Sequence, residues 1–234
     1  MARYLSDVVA FWLGGYDLTT DSTNVEMSSL ARDVECTTLG QSAEKFVSGV
    51  YGGEFSHDGI LDGTAGQVNT AGAALIGSSP VATLAVSNTA GKRAMSGLVL
   101  ETSFKTPTPL GGLVMATVAG VTDDKVESAL VIQEKVTKTG NFDSASVDNA
   151  ASSSAGGTGF LHVFATDGTA DVVIEESSDD GAGDAFATVL TFTQFSALGS
   201  ERIAITGSVE RYIRVALTLG TATSVTYAVT FARL

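Results

Sequence analysis

The stretch SVTYAVTFARL, residues 224–234, decides the fold class. Val225, Tyr227, Val229 and Phe231 fall on one face of an extended chain, and Thr226, Ala228, Thr230 and Ala232 on the other. A period of two built from β-branched and aromatic residues is the pattern of a pleated strand, whose successive side chains point to opposite faces. Working back along the chain, Arg211, Ile213, Val215 and Leu217 alternate with Tyr212, Arg214, Ala216 and Thr218. In AFATVLTFTQF, residues 185–195, Phe186, Leu190 and Phe192 oppose Thr191 and Thr193. FLHVFAT, DVVIEES, SALVIQEKV and GLVLETSFK read the same way. The chain is therefore expected to be all-β, a sandwich or barrel with at most one or two short helices. Ser42 is a candidate cap for a short helical turn over Ala43, Glu44, Lys45 and Phe46.

Composition agrees. The 234 residues include 26 glycines against 3 prolines, and 44% are hydrophobic, enough to fill a core. Only 17% are charged, which suits a protein that buries much of its surface against neighbours. The formal net charge of −13, with no basic cluster, disfavours sequence-reading of nucleic acid through phosphate neutralisation. The opening MARYLSDVVAFWLGG carries Asp7 before a short apolar run, a poor signal peptide, so residence in a cytoplasm is expected. The longest other apolar segment, Leu110 to Val121, is too short to cross a bilayer as a helix.

Two soft regions punctuate the strands. NFDSASVDNAASSSAGGTG, residues 141–159, is rich in Ser, Ala and Gly and reads as a loop or linker between a β region over 1–140 and a second over 160–234. The second region belongs to the same sandwich or forms a small added β domain. Residues 62–79, DGTAGQVNTAGAALIGSS, form another long, weakly apolar stretch, and a loop of that length is usually functional or disordered.

The inventory for chemistry is thin. The single cysteine, Cys36, follows Asp33 and Glu35, which raise rather than lower a thiol pKa. Strand alternation groups Cys36 with Val34 and Thr38, so a small buried apolar role is expected. Of the two histidines, His57 lies in SHDG, read as a strand ending in an Asp-Gly turn. His162 alternates with Phe160 and Phe164 and reads as a packed residue of a strand face. Neither is accompanied by a nucleophile elbow. EESSDDGAGD, residues 175–184, offers the oxygen-rich surroundings calcium prefers but lacks EF-hand spacing; a solvated hairpin turn is the simpler reading. No His/Cys set suits zinc, and no glycine loop cradles a phosphate. Catalytic residues, metal, cofactor, membrane and small-molecule substrate are all expected to be absent.

Several segments resemble a known family in order. Gly14-Gly15-Tyr16-Asp17-Leu18 resembles the opening strand and turn of major tail tube proteins of long-tailed, siphovirus-like bacteriophages. Asp33 to Gly40, with Thr37 and Thr38, resembles their D-V-T-T-F-G-D type motif, with Leu39 replacing the aromatic and Gln41 following where an acid is common. Lys45 to Gly49, Gly53 to Ser56, Gly59 and Asp62 resemble their next glycine-punctuated run, with Ser48 where proline is usual. Phe160–Val163, Glu176–Asp179, Gly199–Arg202, Arg211–Tyr212 and Phe231–Arg233 resemble C-terminal regions of phage tail proteins.

The resemblance implies structural roles for Gly15, Tyr16, Asp17, Thr37, Thr38, Gly40, Gly49 and Gly59. It implies a subunit that self-assembles into hexameric rings, stacked as a virion tail tube with other tail proteins, built in the host cytoplasm and passed transiently by DNA. An acidic wall would let DNA slide without sticking. Asp62, Thr64, Gln67, Asn69, Thr70, Leu75 and Ile76, in the long stretch over 62–79, are the expected contacts between subunits. Two other classes share the catalysis-free, acidic β profile: a capsid decoration protein and a carbohydrate-binding β-sandwich of a tail. The second needs an aromatic platform, and the chain has 1 Trp and 5 Tyr.

Overall fold

The first strand of the described chain is four apolar residues, and each alternate pair serves a different core. In the computed structural model, which describes residues 9–39, 41–61 and 68–234, strand β1 (Ala10–Leu13) is buried along its whole length. Phe11 and Leu13 enter one core, Ala10 and Trp12 another. A tight turn at Gly14 and Gly15, both in the left-handed region (φ 58° and 91°), returns the chain into β2 (Tyr16–Asp17).

Most strands join one antiparallel sheet. They are β3 (Ser22–Met27), β6 (Glu54–Ile60), β7 (Val81–Ala85), β8 (Arg93–Lys105), β9 (Met115–Thr122), β10 (Glu127–Lys138), β13 (Gly157–Thr166), β16 (Gly199–Ile205) and β18 (Val225–Arg233), with β1 and β2. The main path runs β16-β13-β18-β10-β8-β7-β1-β2. Strand β8 is long enough to fork it: Arg93–Ser96 pair with β10, whereas Val99–Lys105 pair with β9, which leads to β6 and β3.

Tyr227, Val229 and Phe231 of β18 face a second, five-stranded sheet made of β11 (Phe142–Asp143), β12 (Val147–Asp148), β14 (Ala170–Ser177), β15 (Ala187–Thr191) and β17 (Tyr212–Leu219). Val172, Ile174, Leu190, Ile213, Val215 and Leu217 complete that core. The opposite face of β18 is also buried, with Ala228 and Ala232 against Trp12 and Phe160. The stretch 141–159 is thus more than a loop: β11 and β12 pair with β17, and Val147 is buried. Its Ser- and Gly-rich composition hid two-residue strands too short to show a period.

The main sheet curls until its ends meet. The Gly14 amide donates to the Val81 carbonyl at 2.9 Å, and the Val81 amide to Ser200 Oγ at 3.0 Å. A Cβ on Gly15 would lie 2.6 Å from both the Gly199 nitrogen and the Val163 oxygen, so β2 presses directly on the backbone around β13 and β16. Lys135 Nζ of β10 also reaches Asp17 Oδ2 of β2 at 2.6 Å. Ala10, Ala85, Ala94, Ala129, Ala228 and Ala232 leave room inside the curl for Trp12 and Phe160.

Two helix expectations change. Residues 43–46 are not helical, and Phe46 opens a strand. The stretch over 62–79 contains helix α1 (Val68–Leu75), with Val68, Ala71 and Gly72 buried. Gly72 is needed there because its Cβ would meet the Phe104 ring at 2.4 Å. The alanine-rich sequence that read as pliable loop is instead a small-residue face packed on a sheet.

Candidate assembly surface

Both histidines are locked in the interior. His57 Nε2 and Ser22 Oγ are 2.9 Å apart, the ring is fully buried, and burial lowers its pKa to about 4. His162 Nε2 lies 2.9 Å from Thr83 Oγ1, which begins a buried hydroxyl chain through Ser96 to Thr230 at 2.9 and 2.8 Å. Burial lowers His162 to about 3, so the imidazole stays neutral between Trp12 and Phe164. SHDG is continuous strand rather than a turn: Gly59 sits within β6, its Cβ position only 2.5 Å from the Asp21 oxygen, so glycine serves close approach.

The acidic 175–184 stretch spans the β14–β15 hairpin, with its tip at residues 178–186. Asp179 accepts the Gly183 and Asp184 amides at 2.7 and 3.1 Å, and these bonds, the Asp184 amide's first, lower its pKa. Among the described residues no group of three or more His, Cys, Asp or Glu is arranged to hold a metal. The described helix is too short to cross a membrane.

Cys36 is exposed, not buried. It opens the connection of a hairpin whose strands, β4 (Leu30–Glu35) and β5 (Phe46–Gly52), pair only with each other among the described residues. Register places Val34 opposite Val47 and Glu35 opposite Phe46. Both faces of this ribbon point to solvent. Leu30, Val34, Phe46, Val47 and Tyr51 are all more than half exposed, Val50 is 72% exposed, and Leu39 stands clear at the tip. Alternation was read correctly as strand only as far as Glu35, with Cys36 and Thr38 beyond its end, and the second layer it implies is missing among the described residues. The hairpin base is fixed: Ser28 and Glu54 exchange hydrogen bonds at 3.0 and 2.8 Å, and Gly53 passes against the Ser28 carbonyl.

The expected motif residues divide accordingly. Gly15, Tyr16 and Asp17 build the seam, Tyr16 inside a core and Asp17 also accepting from Thr19 Oγ1 at 2.5 Å. Thr37 Oγ1 accepts the Lys45 amide at 3.0 Å and the Thr38 amide donates to Gln41 Oε1 at 3.4 Å, both holding the hairpin end. Gly49 lies in β5. Of the expected contact residues, Asn69 and Thr70 are half-buried on α1, Leu75 is half-buried at its end, and Ile76 is exposed. Gly40, Asp62, Thr64 and Gln67 lie outside the described residues. A further exposed apolar element, the β8–β9 loop with Leu110 and Leu113, had no periodic signal by which sequence could find it.

No family model and no curated protein matches the chain. Among solved structures, it is similar to a chain of the tail of an empty gene transfer agent particle with C6 symmetry (16% identity, 53% of this chain and 97% of that one, TM-score 0.43). A chain of the native gene transfer agent virion is similar at 15% identity, over 54% and 98%, with TM-score 0.45. The SPP1 Dit protein, a hub of the adsorption apparatus of phages infecting Gram-positive bacteria, is similar at 14% identity over 96% and 98%, with TM-score 0.38. The functional reading rests on the chain's own residues.

Proposed function

We propose that this chain is a non-enzymatic structural subunit of a phage-type tail, which self-associates into stacked rings forming a tube for DNA. The observation that carries the reading is the β4–β5 hairpin, a ribbon with apolar side chains on both faces and no covering layer among the described residues. A lone two-stranded hairpin is at best marginally stable in water, and natural sheets guard such edges against other chains. An anchored ribbon of this kind is explained by burial against neighbouring copies. The ordered tail-tube motifs add the geometry of six subunits per ring and rings stacked coaxially, and the small-residue composition of the segment around Leu75 and Ile76 suits it to a subunit contact. The net charge of −13 per subunit is consistent with a wall that does not hold phosphates. The place of action is then the virion tail, after assembly in the host cytoplasm.

Electron microscopy and sedimentation of the purified protein, alone and seeded with tail tips, test this. Rings or tubes are expected, with a lumen wide enough for duplex DNA and free of a Lys/Arg stripe. A strictly monomeric protein at high concentration under every seeding condition refutes self-assembly. Binding to capsids without tubes supports a decoration protein instead.

A further inference from the structure

Glu101 stands out among the buried polar groups. Its side chain is 1% exposed, and neither carboxyl oxygen has a hydrogen-bond partner. Register fixes its direction. Glu101 lies opposite Gly120 of β9, which lies opposite Phe55 of β6, and two strand steps away Phe104, Val118 and His57 share the same face. That face carries α1, since the Phe104 ring lies against Gly72. The end of α1 is also tied to the backbone of Glu101: the Gly77 amide donates to the Glu101 carbonyl at 2.9 Å, and the Glu101 amide to the Ser78 carbonyl at 3.3 Å.

Among the described residues no cation answers this carboxyl. Helix α1 and the following 76–79 contain no titratable residue, and neither does β9. On β6 the facing residues are Phe55, His57 and Gly59, with Glu54 and Asp58 on the other side; on β3 they are Val25 and Met27, with Glu26 turned away. Lys105 is out of register with Phe104 and faces away. From across the core come Phe11 and Leu13 of β1, Tyr16 of β2, Ala82 and Leu84 of β7, and Val126. His57 is the one basic group on this face among the described residues, and it is neutral above about pH 5 because burial holds it down to about 4. The carboxyl-terminal end of a helix carries partial negative charge, so α1 adds to the cost of an anion beneath it.

We propose that Glu101 is a proton-operated latch for α1: with the carboxyl protonated the helix stays seated on β8 and β9, and ionisation loosens that seat, freeing the segment that ends in Leu75 and Ile76. Burial pushes the acid up from its ordinary 4.5 to about 7, which places the transition near neutrality. The sign follows from proton binding. The seated state holds a proton that the lifted state releases, so seating weakens as pH rises from 4.5 to about 7 and is then constant.

The experiment is amide hydrogen exchange of the full chain across α1, corrected for intrinsic rates. Protection of the Gly72–Leu75 amides is expected to fall about thirty-fold between about pH 5.5 and about pH 8, and to be flat in Glu101→Gln. Protection independent of pH in the wild type, or an equal fall in Glu101→Gln, overturns the latch. Should the variant not fold, a carbon-13 titration of the wild-type carboxyl decides: a midpoint near 7 supports the latch, and an ordinary carboxylate value overturns it.

Discussion

Gly15→Ala is the sharpest probe of how the main sheet closes. Two costs combine there. The backbone sits at φ +91°, where an L side chain costs roughly 1–2 kcal/mol. The new methyl would also lie 2.6 Å from the Gly199 nitrogen and 2.6 Å from the Val163 oxygen. Both are strand backbone and cannot rotate away, so the seam must part, an overpacking cost of about 1–3 kcal/mol. Together these remove about 2–5 kcal/mol from a stability on the order of 5–15 kcal/mol. Gly91→Ala is the control, because φ there is +78° and nothing lies within 4 Å of the added carbon. The gain from reduced unfolded-chain entropy is common to both and cancels. Urea unfolding with unchanged m reads the difference, expected at about 1–3 kcal/mol. If Gly15→Ala loses no more than Gly91→Ala, the curl is not closed at this seam.

The other expectations are shorter. Val50→Lys with Tyr51→Lys should leave monomer stability within about 0.5 kcal/mol, both sites being exposed, yet abolish tubes; normal assembly of the double variant would remove the hairpin from the contact. Phe231→Ala, in the core between the two sheets, should cost about 3–5 kcal/mol by thermal or denaturant unfolding, and a cost under 1 would contradict that packing. Burial lowers His57 and His162 to about 4 and about 3, so the native state resists protonation that the unfolded chain accepts. Stability is then full above pH 6.5 and falls as pH drops toward 4, by up to about 2.7 kcal/mol per unit for two protons. Glu101 acts in the opposite sense over part of that window, so the histidine limb is measured in Glu101→Gln, and a slope unaffected by His57→Gln with His162→Gln would reject it.

What the sequence revealed depended on how far each signal reaches. Alternation is local, so Val225 to Phe231 announced a strand and both of its faces proved buried. His162, between Phe160 and Phe164, was legible as a packed ring because three alternate positions shared one apolar face. Gly15 was legible only as part of a resemblance; that Gly199 is its opposite wall depends on strands far apart in the chain. Helix α1 was missed because alanine, glycine and threonine give little hydrophobic contrast, and Phe104, which defines its seat, lies outside the segment. Cys36 failed for a different reason. Alternation says that a strand expects a covering layer, but not which molecule supplies it. Val34, Phe46, Val47 and Val50 have the chemistry of core residues and the exposure of surface ones. Among the described residues, that mismatch marks the surface to which the proposed association is assigned.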